Sequence, residues 1–176
     1  MGLILGMVIG FVVETFDTSL GAIEDVEETL GTQVLGIVPQ ADVKDMIEGL
    51  KEKYPDGISL PEESRMSYLV SHFVPKSMMS ESFRALRTNV QFKDAEKRTK
   101  AIAVTSSSPQ EGKTLVTINL AITMAQARTK VLLVGSDLRK PTVDKVFDVE
   151  MTPGLTDILM ENYHWRDTVK TVMDMA

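Results

Sequence analysis

Apolar and polar positions along this 176-residue chain change their period several times. From Leu3 to Val13 the run is apolar and carries no charge. Spanning a bilayer takes about 20 residues, so this run cannot cross by itself. Gly6 and Gly10 form a G-x-x-x-G pair, a spacing that suits a membrane helix. The run therefore reads as the C-terminal half of a transmembrane helix, with Glu14 to Asp17 at its exit. A buried core segment and an interfacial anchor are the other two readings. A signal peptide is excluded, because there is neither a basic start nor a small-residue cleavage site.

Ile23 to Leu30 has apolar residues at i, i+3 and i+7 with acids between, which predicts a short amphipathic helix ended by Gly31. Val34 to Pro39 reads as a short strand stopped by proline. Residues 40 to 75 are polar and mixed, with Pro55, Gly57, Pro61 and Pro75. They predict a linker of low order with a helix over Val43 to Tyr54. Ser77 to Phe92 is a second amphipathic helix, with Phe83, Leu86 and Val90 on one face and Glu81, Arg84 and Arg87 every three residues on another. A charged loop from Lys93 to Lys100 follows.

The apolar run Ala101 to Val104 then predicts a buried parallel strand. Leu115 to Ala125 predicts a helix, and Val131 to Asp137 a second buried strand. Strand, helix and strand make one right-handed crossover unit. Short helices are expected over Thr142 to Phe147 and after the turn at Pro153-Gly154, and a weakly amphipathic one from His164 to Met175. With Gly112-Lys113-Thr114 standing between the first strand and its helix, the fold class is α/β of the phosphate-loop NTPase type: a parallel sheet flanked by helices. A doubly wound sheet of this kind has five or more strands, so the sheet looks unfinished at Ala176. The domain plan is the end of a membrane helix over 1–16, a juxtamembrane region and linker over 17–75, and the N-terminal part of the phosphate-loop domain over 76–176.

Between the two predicted elements lies Thr105-Ser106-Ser107-Ser108-Pro109-Gln110-Glu111-Gly112-Lys113-Thr114. A strand that turns into a helix through such a stretch aims several N–H groups at one point, which favours a polyphosphate. Gly112-Lys113-Thr114 ends the loop pattern G-x-x-x-x-G-K-[ST], with Ser107 in place of its first glycine. Lys113 is placed to neutralise phosphate charge and Thr114 to put a hydroxyl on magnesium. The N–H groups from about Gln110 to Leu115 cradle phosphate oxygens, while Pro109 has none to give. Asp137, at the end of the second strand, is the acid expected beside the site. It serves as a water-mediated magnesium contact or proton acceptor, or else as a turn-capping residue. Arg139 reaches a phosphate or remains a solvated charge.

Composition narrows the field. The net charge of −6 disfavours non-specific nucleic-acid binding. The absence of cysteine excludes disulfide frameworks and thiolate zinc sites. His72 and His164 stand alone, which leaves no pattern for a histidine metal site or a catalytic triad.

The loop, the run Val131 to Pro141 and the element Ser80 to Asn89 together resemble the bacterial tyrosine kinases of capsule and exopolysaccharide systems. The front of the chain, with its apolar helix end, Asp17-Thr18-Ser19, Glu24-Asp25-Val26-Glu27 and Val34 to Pro39, is similar to the join between a polysaccharide chain-length determinant and its kinase domain. The resemblance covers most of the chain and is weakest over 40–75. It implies an ATP site with magnesium, built from Ser108, Gln110, Glu111, Gly112, Lys113, Thr114 and Leu115, with Thr114 and Asp137 toward the metal and Lys113 and Asp137 in catalysis. It also implies that Glu81, Arg84 and Arg87, matching the family's E-x-x-R-x-x-R element, pack between subunits of a ring-like homo-oligomer. Residues 17–176 would lie on the cytoplasmic side of the bacterial plasma membrane, beside the polysaccharide export and polymerisation machinery.

Three departures accompany the resemblance. The family's second motif carries two acids as Asp-x-Asp, and here the first is Gly135. A later apolar strand ending in Asp, and a tyrosine-rich tail, do not appear; the tyrosines are Tyr54, Tyr68 and Tyr163. Three functions therefore compete: an ATP-dependent tyrosine autokinase module, a non-catalytic cytoplasmic stub of a chain-length determinant, and an ATPase of the ParA/MinD type. Ser108 stands where the last class places a lysine. The unfinished sheet predicts that residues 76–176 alone bind Mg-ATP weakly or not at all.

Overall fold

A computed structural model describes residues 2, 6–8, 11, 23–40, 50, 65–94 and 101–172. The chain divides into two units, Met1–Leu35 and Gly36–Ala176. In the first, residues 2, 6–8 and 11 are helical and exposed. The rest of the expected membrane-helix end lies outside the described residues, as does the Asp17-Thr18-Ser19 turn. Among the described residues no helix is long and apolar enough to cross a membrane. Helix α1, Ile23–Leu30, follows the predicted period. Its acids Glu24 and Asp25 sit in the first turn, where the helix dipole favours negative charge. Gly31, at φ 60°, closes it in the left-handed conformation that glycine adopts without steric cost. Glu27 Oε1 accepts the Val34 N–H at 2.7 Å and turns the chain back on the helix.

The second unit is organised on one long helix. Helices α2 (Val70–Phe73), α3 (Met78–Asp94), α4 (Lys113–Gln126), α5 (Val143–Phe147), α6 (Leu155–Leu159) and α7 (Trp165–Thr168) follow in order. Ser77 starts α3, its Oγ accepting the Ser80 N–H at 3.2 Å in N-cap fashion. Two apolar clusters line α4. In one, Ile118 and Ile122, four residues apart, pack with Leu69 and Val146, and Tyr68, Phe73, Leu133 and Phe147 close around them. In the other, Phe83, Val70 and Met79 meet Leu115, Val116, Leu86 and Val38.

A polar clamp joins the same parts. The side chain of the buried Asn119 accepts the Ser71 N–H at 2.8 Å and donates to the carbonyls of Tyr68 and Leu115, each at 2.8 Å. Gln126, on the same helix face, donates to the Ser71 carbonyl at 3.0 Å. Both backbone groups of Ser71 are thus satisfied by side chains of α4, as burial demands. Arg65 fastens the segment from the other side, donating to Asp148 Oδ2 at 3.0 Å and to the Val146 carbonyl at 3.4 Å.

Several expectations change. Residues 65–74 fall in the stretch expected to be a linker of low order, yet Leu69, Val70 and Ser71 are buried. Their cover comes from α4, far along the chain, which a local reading of the sequence does not show. The helix over Val43 to Tyr54 lies outside the described residues apart from Leu50, which is helical and buried. Residues 95–100 of the charged loop also lie outside them.

No β-ladder forms among the described residues, so Val34–Pro39, 101–106 and 131–137 are not paired strands. Nor are the two expected central strands buried. Side chains alternate across an extended chain. Leu133 packs toward α4, while its neighbours Leu132 and Val134 are 60% and 50% exposed and Ile102 is 50% exposed. One helix covers one side, and burial on both faces needs cover on both. The helix expected from His164 to Met175 shrinks to α7, because Val169 turns extended at its end (φ −66°, ψ 128°). Val169, Thr171 and Val172 are β-branched and gain little from continuing a helix. Residues 173–176 lie outside the described residues.

Candidate functional site

The loop 105–112 leads into α4 through Gly112, which caps the helix at φ 88°, ψ 9°. Only glycine takes that left-handed turn without steric cost. The turn brings the first N–H groups of α4, which have no partner inside the helix, to face the loop. Gln110 is also left-handed, at φ 64°. Thr117 Oγ1 donates back to the Lys113 carbonyl at 2.7 Å and steadies the first turn.

Lys113 Nζ donates to Ser106 Oγ at 2.7 Å and to the Ser108 carbonyl at 3.0 Å. Ser106 Oγ in turn donates to the Ser108 carbonyl at 2.8 Å. The ammonium therefore rests on neutral oxygens. Among the described residues it is in direct ion-pair contact with no carboxylate.

Glu111 folds over the front of the loop. Its Oε2 accepts the Ser108 N–H at 2.9 Å, and the Ser107 hydroxyl lies 3.0 and 3.3 Å from its two oxygens. The Ser108 N–H holds its carboxyl below the usual carboxylate range, helped by the Ser106 and Ser107 hydroxyls and the Lys113 charge, against some desolvation. Asp137 closes a turn of its own, Oδ1 accepting the N–H groups of Lys140 at 3.0 Å and Arg139 at 3.2 Å. The Lys140 N–H is the main reason its carboxyl lies below the usual range; the Arg139 N–H and the charges of Lys113 and Lys140 add to it, against some desolvation. Glu111 and Asp137 thus feel the same ammonium, although 26 residues separate them in sequence (137 − 111).

Of the residues singled out from sequence, Ser108, Gln110, Glu111, Gly112, Lys113 and Thr114 share this loop, and Asp137 lies within the field of Lys113. Leu115 turns inward to the Phe83 cluster, which leaves only its backbone for a ligand. Arg139 is exposed, and its N–H serves the Asp137 turn. Glu81 and Arg84 pair with each other on the surface of α3. Arg87 instead turns to α4, its Nη1 donating to the Thr123 carbonyl at 2.9 Å. Gly135 lies next to α5: a Cβ placed there would sit 3.4 Å from Val143 Cβ and Cγ2.

Two participants were not assigned from sequence. Ser106 is the hydroxyl that holds Lys113, and the run of hydroxyl residues before Pro109 was the available signal. Asn119, which locks α4 to residues 68–71, looks from sequence like any polar helical residue.

An extended apolar run, a serine-rich loop and a left-handed glycine opening a helix with Lys-Thr thus meet at the N-terminus of α4. No protein-family model matches the chain. Its relatives are bacterial tyrosine-protein kinases, matched over part of their length. It is 43% identical over 96 residues to the tyrosine-protein kinase YwqD of Bacillus subtilis, covering 54% of this chain and 40% of that protein. A longer match, 28% identical over 162 residues, covers 90% of this chain and 21% of the tyrosine-protein kinase wzc of Salmonella typhimurium. Among solved structures it is similar to the BceF tyrosine kinase domain, at 27% identity and a TM-score of 0.68, over 86% of this chain and 57% of that one. The chain spans less than half the length of the curated relatives it matches.

Proposed function

We propose that this chain carries the nucleotide-binding part of a bacterial protein-tyrosine autokinase that regulates the chain length and export of capsular or exopolysaccharide. The observation that carries the reading is the loop on the N-terminus of α4, where Lys113 rests on Ser106 and the Ser108 carbonyl and Glu111 takes the Ser108 N–H. The names of the chain's relatives supply the reaction class. The residues fit a magnesium nucleotide: an ammonium held only by neutral oxygens, a helix N-terminus opened by Gly112, and an Asp137 carboxyl that the Lys113 charge helps to hold below the usual range.

In this reading the N–H groups from Gln110 to Leu115, with Ser108 opposite, hold the phosphates of ATP. Lys113 leaves Ser106 and the Ser108 carbonyl to meet phosphate oxygens. The Thr114 hydroxyl and Asp137 would hold the magnesium ion, which would offset phosphate charge, and Asp137 would be the acid able to accept the tyrosyl proton. Bound Mg-ATP supplies the transferable phosphoryl group. Glu81, Arg84 and Arg87 lie between subunits of a ring-like assembly. An apolar N-terminal helix anchors the chain to the inner membrane, leaving 17–176 on the cytoplasmic face with the export machinery.

Gly135 favours a second reading. The position that would bear the other acid of the motif has no side chain and backs onto Val143. A chain that binds nucleotide without transferring phosphate, as a regulatory stub of a chain-length determinant, fits that vacancy of charge.

Isothermal calorimetry of Mg-ATP against the 176-residue chain and its Lys113→Ala variant tests the site. A heat of binding lost in the variant is expected, and weak affinity still satisfies the reading. Indistinguishable titrations would remove the nucleotide site. A phosphotyrosine assay on the same samples then separates kinase from stub.

A further inference from the structure

A phosphate cradle works by offering N–H groups to an anion, so what those groups do in the free chain matters. Here one of them is already in use. The Ser108 N–H donates to Glu111 Oε2 at 2.9 Å, and the Ser107 hydroxyl spans both carboxylate oxygens at 3.0 and 3.3 Å. Gln110, left-handed at φ 64°, lies in the turn between donor and acceptor. Lys113 lies close enough to lower the Glu111 carboxyl, yet its ammonium bonds to Ser106 and the Ser108 carbonyl.

We propose that Glu111 is an internal counter-anion, whose carboxylate occupies the Ser108 end of the phosphate loop and must swing out before a polyphosphate can bind. This rests on the phosphate-loop reading above. A carboxylate and a phosphate oxygen cannot both take the same N–H in good geometry, and their like charges repel at this range. Glu111 is exposed, so its side chain can move into solvent without disturbing the core. The contact makes the empty loop self-neutralised: it keeps the N–H groups ordered and sets a threshold that a weakly charged anion such as inorganic phosphate does not cross. The ligand class that displaces it is a di- or triphosphate, with several charges to meet Lys113 and the helix N-terminus together.

The test is a 1H–15N NMR titration of the 176-residue chain, of Glu111→Gln and Glu111→Ala, and of Lys113→Ala, with metal-free tripolyphosphate and separately with Mg-ATP. Before any ligand is added, the Ser108 amide resonance is expected to move in both Glu111 variants. Both variants should then bind tripolyphosphate on the order of fivefold more tightly than the unaltered chain, and Lys113→Ala should bind it least. Equal or weaker binding by the Glu111 variants, with the unaltered chain still binding and Lys113→Ala not, overturns the counter-anion while the phosphate loop stands. Weaker binding of Mg-ATP alone would make Glu111 a metal-side group and likewise overturn it. If the chain and its Glu111 variants all fail to respond to either ligand, the loop reading falls and the proposal with it.

Discussion

Asn119 on α4 and Ser71 on α2 are 48 residues apart in sequence, and the amide oxygen of one accepts the backbone N–H of the other at 2.8 Å inside the core. The same amide also holds the Tyr68 carbonyl. Removing it in Asn119→Ala strands one buried and one partly buried backbone group. Leaving such groups without partners costs about 1–3 kcal/mol each. Urea unfolding is expected to show a loss of roughly 2–4 kcal/mol with an unchanged slope. A loss below about 0.5 kcal/mol, the range of neutral surface changes, would show that the clamp adds nothing.

Arg84 and Arg87 look alike in the sequence but are bound differently. Arg84 makes an i,i+3 pair with the exposed Glu81, a contact worth at most about 1 kcal/mol. Arg87 donates to the Thr123 carbonyl of α4, a charged-donor bond worth roughly 1.5–3 kcal/mol. Arg87→Ala should therefore lower the melting temperature of the isolated chain, and Arg84→Ala should leave it nearly unchanged. If α3 is also the subunit contact, sedimentation velocity of the assembled protein will show Arg84→Ala dissociating without a stability loss.

Glu111 and Asp137 should titrate below ordinary carboxylates in side-chain 13C NMR. Lys113→Ala should move both upward, because each feels that ammonium. For a carboxyl depressed in the folded state, the stabilisation is present above its unfolded pKa and is lost as pH falls through the folded one. Any contribution from these two groups therefore disappears only on the acid side of the usual carboxylate range. An Asp137 midpoint insensitive to Lys113→Ala would separate the acid from the loop.

Gly135→Asp restores an acid to the motif. Its Cβ would meet Val143 Cβ and Cγ2 at 3.4 Å, an ordinary contact, so the variant should fold with a change within about 1 kcal/mol. On the kinase reading, phosphotyrosine formation by the 176-residue chain rises. A variant that folds and binds Mg-ATP but forms no more phosphotyrosine would favour the stub.

Short-range periodicity and one loop pattern were enough to place α1, α3 and α4 within about two residues. They also placed the glycine that opens α4 and the lysine beside it. Those features depend on residues within one or two turns of each other. The two extended runs were equally visible, but their burial was not. An apolar run records a side chain's preference for cover, and whether cover exists depends on what packs on each face. Leu133 has α4 against it; Leu132 and Val134 do not.

The sequence by itself determined the helix periods and the place of Gly112 and Lys113 at the start of α4, because both are properties of residue type and local spacing. Only the tertiary structure decided that residues 69–71 are core, that Arg87 is tied to Thr123, that Lys113 rests on Ser106, and that Glu111 takes the Ser108 N–H. Each of these turns on where a side chain finds a partner, and in two cases the partner lies 36 or 48 residues away. Glu111 and Ser108 are only three apart. Yet their contact needs the left-handed turn at Gln110, a backbone choice that residue type alone did not reveal.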